Sequence, residues 1–598
     1  NTIYECENDN HRLKAEFTRG LGYLDVNGVL TNLAGTDRGI VLEYVLPLFA
    51  GTNAFYNELN ESVIIDSGTN FEGNVFPIGA LSGDGQGRVL AIPPSDPRIF
   101  GVTADANSQG ITFYLGLSAD TVNFPNEASF RFIIYNLEDP EWGFRSALSR
   151  YYEFFGDYYE VRPWNDGLFM INQYCNTPPA LDLHGYNRIG LGGCAEEDFA
   201  RDEAWNLISN NFQNIGNRQV EVESLPRDYN DVLAALDDLC SSGDDPNMCE
   251  RIINSGSKDA DGRYHYTGWV NFAGKNVISF KTNPNPDLPI DPNLTIGGSV
   301  KLKFDDMFAQ WPLLDSAAID SLGSRWPALL NYSADHIPYA KYPLTFDPDG
   351  RVALHNKISH YGFLEKLRSQ LRQMGKLIQG NGVYSYNSKT DPAEHYRAGT
   401  RVGRFFIASL LDIASSEPGI NTDQKRYEFI RTAMGRKHYI LTNRLWESAH
   451  QVEKWLNKCL VYTVFGSSVA NAETGEEYLF SPDGYERDED LLYWYVPLCR
   501  TLSRAGWEPV TYAELTEGDY VLMERYGSGD TVYIVLYSEY HSSQQCSVVL
   551  DMEGLGLDAN QCSFSEIARS TALNVNGSEV TLTAEPYKAY VVQVNSLD

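Results

Sequence analysis

Residues 311–332 read WPLLDSAAIDSLGSRWPALLNY, and the prediction of the fold starts from this stretch. Its centre, AAIDSL at 317–322, is typical of a short buried strand that ends in a carboxylate, Asp320. Trp311 and Trp326 flank that strand. A barrel enzyme that sets a carboxylate beside a sugar ring needs such a strand and an aromatic loop. A core strand whose Asp320 caps the next helix explains the stretch equally well. This stretch alone therefore does not distinguish a catalytic Asp320 from a capping one.

The length and the charge of the chain limit the alternatives. The 598 residues exceed one core, so roughly two to four domains are expected. Aromatic residues make up 13%, with 37 Tyr and 10 Trp, which suits packed β-structure and sugar-stacking surfaces. The net charge of −33 (47 basic against 80 acidic residues) argues against nucleic-acid or anionic-membrane partners. No apolar run of about 18 residues is present, so no membrane span is expected.

The cysteines predict an oxidising compartment. The nine form no CxxC pair, which argues against a zinc site. Their spacing predicts disulfides within loops, and the pairs we propose from it are Cys175–Cys194, Cys240–Cys249, Cys546–Cys562 and Cys459–Cys499, with Cys6 left over. The chain opens at Asn1 without a signal peptide, as a processed secreted protein would. We therefore expect a secreted, extracellular protein.

N-x-S/T sequons occur at Asn60, Asn293, Asn331 and Asn576. They are compatible with a glycoprotein, but a chain of this composition carries roughly that many by chance.

The first part of the chain predicts a β-sandwich. Up to about residue 140, short alternating runs such as GIVLEY at 39–44 and FRFIIY at 130–135 are separated by Gly, Asn and Asp turns. An amphipathic helix is predicted over 141–155 as a linker. We place this sandwich and its helix at residues 1–160.

The middle of the chain predicts a (β/α)8 barrel at residues 161–510. Eight short apolar runs are taken as its strands: 167–174, 218–224, 276–282, 317–322, 376–380, 404–410, 438–443 and 461–467. Helical patterns between them are clearest at 228–239, 355–374, 422–435 and 488–505. Further strand patterns predict a small C-terminal β-sandwich at residues 511–598.

The predicted carboxyl ends of the strands are rich in carboxylates, amides and aromatics. No GxSxG elbow, phosphate-binding Gly loop, dinucleotide fingerprint or metal-ligand spacing is present, so no cofactor or metal is expected. DADG at 259–262 and DPDG at 347–350 resemble the start of a calcium loop, but neither continues to the Glu that such a loop requires. Turns of this kind usually need no metal.

Carboxylates beside amides and aromatics are the equipment of glycoside hydrolysis. Asp320 is the predicted nucleophile, Glu417 is the preferred acid, and Asp412 is its rival, although Glu417 or Asp412 could each be a plain helix cap. The residues predicted to bind sugar are Asn172, Glu223, Lys281, Trp326, Asn381, Tyr384, Arg444 and Trp446.

The order of these parts resembles the barrel glycoside hydrolases of clan D, which contains α-galactosidases, and also endo-α-N-acetylgalactosaminidases. WGFRSALSRYYEFF at 142–155, AAIDSL at 317–322, YPLTFDPDGRVALHN at 342–356, GKLIQGNG at 375–382 and AGWEPVTYA at 505–513 resemble strings of large secreted hydrolases. In clan D the nucleophile is an Asp after strand 4 and the acid/base an Asp after strand 6. The resemblance therefore implies Asp320 and, by residue type, Asp412. The endo-acting relatives use a Glu after strand 5, and here the nearest one is Glu394.

Two functions follow as alternatives. The first is a secreted retaining glycosidase that acts on α-linked glycan. The second is an extracellular glycan-binding or structural glycoprotein, such as a sheath or filament component, built on a hydrolase scaffold that no longer cleaves. A second carboxylate within roughly 5–10 Å of Asp320 would separate them.

Overall fold

The computed structural model describes residues 1–171, 180–188, 196–242, 246–271, 273–322, 330–383, 403–416, 423–441, 449–468 and 485–597. Two compact units emerge from the contacts within the chain. The first comprises Asn1–Ala147, Gln213–Pro312 and Ala317–Leu411, and the second comprises Leu148–Phe212, Leu313–Ser316 and Asp412–Asp598. The three-domain boundaries at 160 and 510 stay a prediction.

The first unit begins with two antiparallel sheets. The eight-stranded sheet contains, in spatial order, Thr2–Glu7, His11–Arg19, Leu24–Asn32, Glu127–Asn136, Gln86–Ala91, Ile78–Gly83, Asn53–Glu58 and Glu61–Ile64. The four-stranded sheet contains Arg38–Pro47, Ser108–Leu117, Phe100–Asp105 and Asn70–Gly73. Aromatic rings join the two sheets, with Tyr44 lying 4.7 Å from Phe132 and Phe113 lying 5.6 Å from Phe130 between ring centroids. This is the arrangement that the alternating pattern predicted.

The parallel strands form a nearly closed eight-stranded barrel. In chain order they are Leu168–Ile171, His184–Arg188, Ile208–Asn214, Ser316–Asp320, Leu377–Asn381, Ile413–Ser416, His438–Leu441 and the divided strand Val464–Phe465 with Ser467–Ser468. The first half of the divided strand pairs with barrel strand 7 and the second half pairs with barrel strand 1. One chain segment therefore links both ends of the sheet. The predicted barrel is confirmed.

Three of the eight predicted strands are wrong. The runs at 218–224 and 276–282 lie in Asn217–Glu221 and Asn276–Lys281, which belong with Tyr266–Val270 to a separate antiparallel sheet. The run at 404–410 is a helix, Arg404–Leu410, in which every residue is buried. Periodicity alone cannot tell a short buried helix from a strand. Barrel strands 2 and 3 read HGYNR and ISNNFQN, which are too polar to be found as apolar runs.

The helices agree better with the sequence patterns. The predicted helices correspond to Gly143–Phe154, Tyr229–Ser242, Asn356–Gln373, Gln424–Met434 and Arg487–Ala505. Further α-helices among the described residues are Gly156–Tyr159, Glu196–Ala204, Pro246–Ser255, Ile296–Gln310, Arg404–Leu410 and Ala449–Val461. Short strands at Leu330–Asn331, Thr345–Phe346 and Val352–His355 precede the helix Asn356–Gln373. Over the described ranges, no helix is both long and apolar enough to cross a bilayer.

The chain ends in a second pair of antiparallel sheets. One contains Trp507–Glu508, Val521–Tyr526, Thr531–Ser538, Ala589–Ser596 and Cys562–Glu566. The other contains Ala513–Glu517, Gln544–Leu550, Glu579–Ala584 and Asn574–Asn576. A buried cluster that includes Ile534, Val548 and Val592 combines side chains of both sheets.

The disulfide prediction holds for one pair and fails for two. Cys240 and Cys249 are bonded and join the helices Tyr229–Ser242 and Pro246–Ser255. Cys459, Cys499 and Cys546 carry free thiols, so the predicted pairs Cys459–Cys499 and Cys546–Cys562 do not form. These three thiols are buried, and they lie in the helices Ala449–Val461 and Arg487–Ala505 and in the strand Gln544–Leu550 rather than in loops. A buried free cysteine behaves as a small apolar residue. Cys175 and Cys194 lie outside the described residues.

Candidate active site

Barrel strand 4 presents one carboxylate at its carboxyl end. The residues from Ser316 to Ile319 are fully buried, and Asp320 is partly exposed. Ala317 and Ala318 have no accessible surface, so small side chains fill the tightly packed interior here. Because active sites of barrel enzymes lie at the carboxyl ends of the strands, Asp320 is where a reacting group is expected.

Two neutral donors orient the Asp320 carboxylate. Asn381, the last residue of barrel strand 5, donates from Nδ2 to Oδ1 over 2.7 Å. The Ser321 hydroxyl donates to Oδ2 over 3.2 Å. Both donors are uncharged, so they fix the direction of the carboxylate and leave its negative charge uncompensated by these contacts. Such a group can attack an electrophilic carbon or stabilise a developing positive charge.

The turn after Asp320 has an unusual backbone conformation. Ser321 has a φ of 62°, in the left-handed region that residues other than glycine rarely adopt. The Leu322 amide donates to the Asn381 carbonyl over 2.9 Å, and the Leu322 carbonyl accepts a hydrogen bond from Lys357 Nζ. A Cβ on Gly380 would lie 2.7 Å from Leu322 Cδ1, so this turn packs closely against barrel strand 5. Backbone strain of this kind concentrates at functional sites.

Asp412 lies in a different position from the predicted one. It precedes barrel strand 6, Ile413–Ser416, whereas the prediction placed it after that strand. Its Oδ2 accepts from Arg162 over 2.9 Å, and its side chain is only 2% exposed. The error follows from the helix Arg404–Leu410, which the prediction took for the strand. A buried carboxylate at the amino end of a barrel strand, paired with arginine, is typical of a structural ion pair.

Glu417 is the next residue in sequence after Ser416, the last residue of barrel strand 6. Glu417 itself lies outside the described residues. The same holds for the predicted sugar-binding residues Asn172, Trp326, Tyr384, Arg444 and Trp446.

Lys281 lies in the separate antiparallel sheet and Glu223 lies just after one of its strands, Asn217–Glu221. The prediction that these two residues follow barrel strands is therefore wrong. Glu223 is exposed, and its carbonyl accepts from Asn276 Nδ2 over 2.8 Å. Lys281 is 2% exposed and donates to the Ser279 hydroxyl over 3.1 Å. Burial lowers the pKa of Lys281 to about 8. Their role in sugar binding stays a prediction.

The two calcium-like strings form turns in which the first carboxylate bonds the backbone. Asp259 Oδ1 accepts from the amides of Asp261 and Arg263, both over 2.9 Å. Asp347 Oδ1 accepts from the amides of Asp349 and Arg351, also over 2.9 Å. These contacts give the strings a structural role in their turns.

Asp202 is a further buried carboxyl group that the sequence did not single out. It lies on the helix Glu196–Ala204, is fully buried, and accepts from Asn187 Nδ2 of barrel strand 2 over 3.0 Å. Burial raises the pKa of Asp202 to about 7, and the charges of Asp315 and Asp198 act in the same direction. Because it packs between a barrel strand and the helix that follows, we assign it to the core.

We expect Asp202 to make the fold less stable as the pH rises. The pKa near 7 in the folded chain exceeds the value of about 3.9 in the unfolded chain, so folding favours the protonated form. Its contribution is complete below about pH 4 and is lost as the pH rises through 7, at most about 4 kcal/mol. Asp202→Asn mimics the protonated group, so its gain in unfolding free energy over the parent chain should grow from pH 4 to pH 8. A gain that does not change with pH would contradict the assignment.

Comparison with known proteins finds matches among solved structures. No family model matches the sequence, and no curated protein matches it. Among solved structures, the galactosidase domain of the α-galactosidase-sucrose kinase AgaSK superposes with a TM-score of 0.52 at 11% identity, covering 98% of this chain and 80% of that one. The α-galactosidase from Lactobacillus brevis gives 0.50 at 11% identity, again over 98% and 80% of the two chains. The α-N-acetylgalactosaminidase NagBb from Bifidobacterium bifidum gives 0.42 at 10% identity, over 90% of each chain.

The first two comparisons concern the fold, because their sequence identity is low. They agree with the resemblance noted in the sequence. The chain has the fold of the α-galactosidase-type glycoside hydrolases, a (β/α)8 barrel with flanking β-sheet domains.

Proposed function

We propose that the chain is a secreted, retaining O-glycosidase that cleaves α-linked glycan, with Asp320 as its nucleophile. The observation that carries this proposal is the setting of Asp320. It is a partly exposed carboxylate at the carboxyl end of barrel strand 4, and Asn381 of the next barrel strand orients it. In clan D, which the sequence resembles, the nucleophile follows strand 4.

The chemistry needs two carboxyl groups in two steps. An oxygen of Asp320 attacks the anomeric carbon as the bond to the leaving oxygen breaks, and the acid protonates that oxygen. The same group, now a carboxylate, takes a proton from water, which attacks the anomeric carbon and frees Asp320. Two displacements at one carbon restore the original anomeric configuration.

Glu417 is our choice for the acid and base. It follows barrel strand 6 in the sequence, and clan D takes its acid/base from that place. Asp412, the rival, is bound to Arg162 and precedes the strand. We therefore exclude Asp412 from the proposed chemistry.

The substrate proposal rests on resemblance. Two solved structures with this fold are named as α-galactosidases, and we propose an α-linked sugar as the first class to try. The disulfide Cys240–Cys249 supports an extracellular location, because such bonds persist in oxidising compartments.

The test is a panel of aryl α- and β-glycosides together with algal and mucin-type polysaccharides. We expect release of sugar from at least one α-linked substrate and none from its β-anomer, and NMR of the first product should show the α-anomer. First release of the β-anomer would contradict a retaining mechanism. Saturable binding of glycan without any release would instead support the decayed, glycan-binding alternative.

A further inference from the structure

Lys357 is a buried lysine beside the candidate nucleophile that the proposed chemistry does not use. It lies in the first turn of the helix Asn356–Gln373 and has no accessible surface. Its Nζ donates to the carbonyl of Leu322, two residues after Asp320. Within the described ranges, that carbonyl is the hydrogen-bond partner of this amine. Burying a charged amine costs free energy, so the complete burial of Lys357 needs an explanation.

The turn that Lys357 contacts is held from two sides. The Leu322 amide donates to the Asn381 carbonyl over 2.9 Å, while the Leu322 carbonyl accepts from Lys357. Between Leu322 and Asp320 stands Ser321, with its φ of 62°. A residue other than glycine keeps such a conformation only where its surroundings enforce it. The two bonds to Leu322 supply that enforcement.

Gly403 and Arg404 are close neighbours of the Lys357 side chain. Gly403 has a φ of 88°, and a Cβ there would lie 2.9 Å from Lys357 Cβ. Burial and the nearby charge of Arg404 lower the pKa of Lys357 well below its ordinary value. The lysine donates an N–H to Leu322 in either protonation state.

We propose that Lys357 is a positioning residue, which holds the Asp320–Leu322 turn through the Leu322 carbonyl and thereby aims the nucleophile. This inference rests on the proposed role of Asp320. A carboxylate that must attack within a narrow angle loses rate when its backbone shifts, and a misplacement of about 1 Å can cost about 10²-fold. Lys357 acts through the backbone and does not contact the substrate.

The kinetic test replaces Lys357 with methionine, which keeps the length of the chain and removes the donor. We expect Lys357→Met to lower kcat by about 10²-fold with little change in KM. Lys366→Met is the matched control, since Lys366 lies on the same helix but is 43% exposed and pairs with Asp287. Leu367→Ala removes a buried side chain, 2% exposed, from the same helix. It should lower Tm and leave kcat within a few fold.

A second readout does not depend on activity. Amide hydrogen exchange of Leu322 should be about tenfold faster in Lys357→Met than in Lys366→Met, while the helix Ile296–Gln310 exchanges as before. Unchanged exchange at Leu322 would overturn the proposal, and so would an equal acceleration in Leu367→Ala. If Lys357→Met does not fold, Lys357→Gln, with a shorter donor, should give the same two effects at smaller size.

The outcomes separate this inference from the proposed function. If Lys357→Met accelerates exchange at Leu322 but the parent chain hydrolyses no glycoside, the anchoring of the turn is supported and the proposed enzymatic function is contradicted. If Lys357→Met shows normal exchange at Leu322 and a wild-type kcat, the enzymatic function is supported and the positioning role of Lys357 is contradicted.

Discussion

Asp320→Asn is expected to lose activity by on the order of 10⁴-fold, the scale seen when one member of a catalytic set is removed. The amide cannot form the glycosyl ester at a useful rate, because it lacks the charged oxygen that attacks the anomeric carbon. The side chain is partly exposed and keeps its shape, so the unfolding transition should stay close to that of the parent chain. Initial rates on the best aryl glycoside, with a thermal melt of the same samples, measure both.

Asp305→Asn is the matched control for Asp320→Asn. Asp305 is a half-buried carboxylate, 32% exposed, on the helix Ile296–Gln310, where it pairs with Lys301. Its loss should leave the rate unchanged within a few fold. An Asp320→Asn chain that turns over substrate as fast as the Asp305→Asn chain would contradict the assignment of the nucleophile.

Glu417→Gln should mainly lower activity, whereas Asp412→Asn should mainly lower stability. Glu417→Gln is expected to lower kcat by roughly 10²–10⁴-fold, the usual contribution of a general acid. The loss should shrink on aryl glycosides with acidic leaving groups, because these depart without protonation. Asp412→Asn breaks a buried ion pair with Arg162, which typically costs about 3–5 kcal/mol of stability, and should leave kcat nearly unchanged.

Both variants are measured with two substrates and one chemical unfolding experiment. Rates on a poor and a good leaving group give the first effect, and chemical unfolding gives the second. The assignment would be reversed if Asp412→Asn lost activity in a leaving-group-dependent way while its stability matched that of the parent chain.

Strand 4 could be recognised from the sequence because its character is local. AAIDSL combines small and apolar residues with one carboxylate, and Ser316–Asp320 is buried up to that carboxylate. Barrel strands 5, 7 and 8 also contain apolar runs at their predicted places. Where the local pattern and the tertiary environment agree, a single sequence is sufficient.

Barrel strands 2 and 3 were missed because their burial depends on tertiary contacts. In ISNNFQN, Asn210 has no accessible surface and donates to the carbonyl of Ile208. A buried asparagine with such a partner has the same sequence letter as an exposed one. The helix Arg404–Leu410 is the opposite case, because its mostly apolar residues are buried in a helix and not in a strand.

The candidate site shows the same division. Asp320 and Asn381 could be named from strand ends, and they share a hydrogen bond of 2.7 Å. The left-handed φ of Ser321 and the burial of Lys357 have no sequence signal, because both depend on how the turn packs against barrel strand 5 and the helix Asn356–Gln373. Asp412 was misplaced because an error of one element moves a residue to the other end of its strand.

The central claim is that Asp320 forms a covalent bond with the sugar. A fluorinated glycosyl fluoride of the preferred sugar forms such an ester quickly and releases it slowly, so the labelled chain can be digested and its peptides weighed. We predict that one sugar residue is carried by the peptide that contains Asp320, and that fragmentation places it on that side chain. A label on any other carboxylate, or turnover of the reagent by a chain that never carries a label, would contradict the claim.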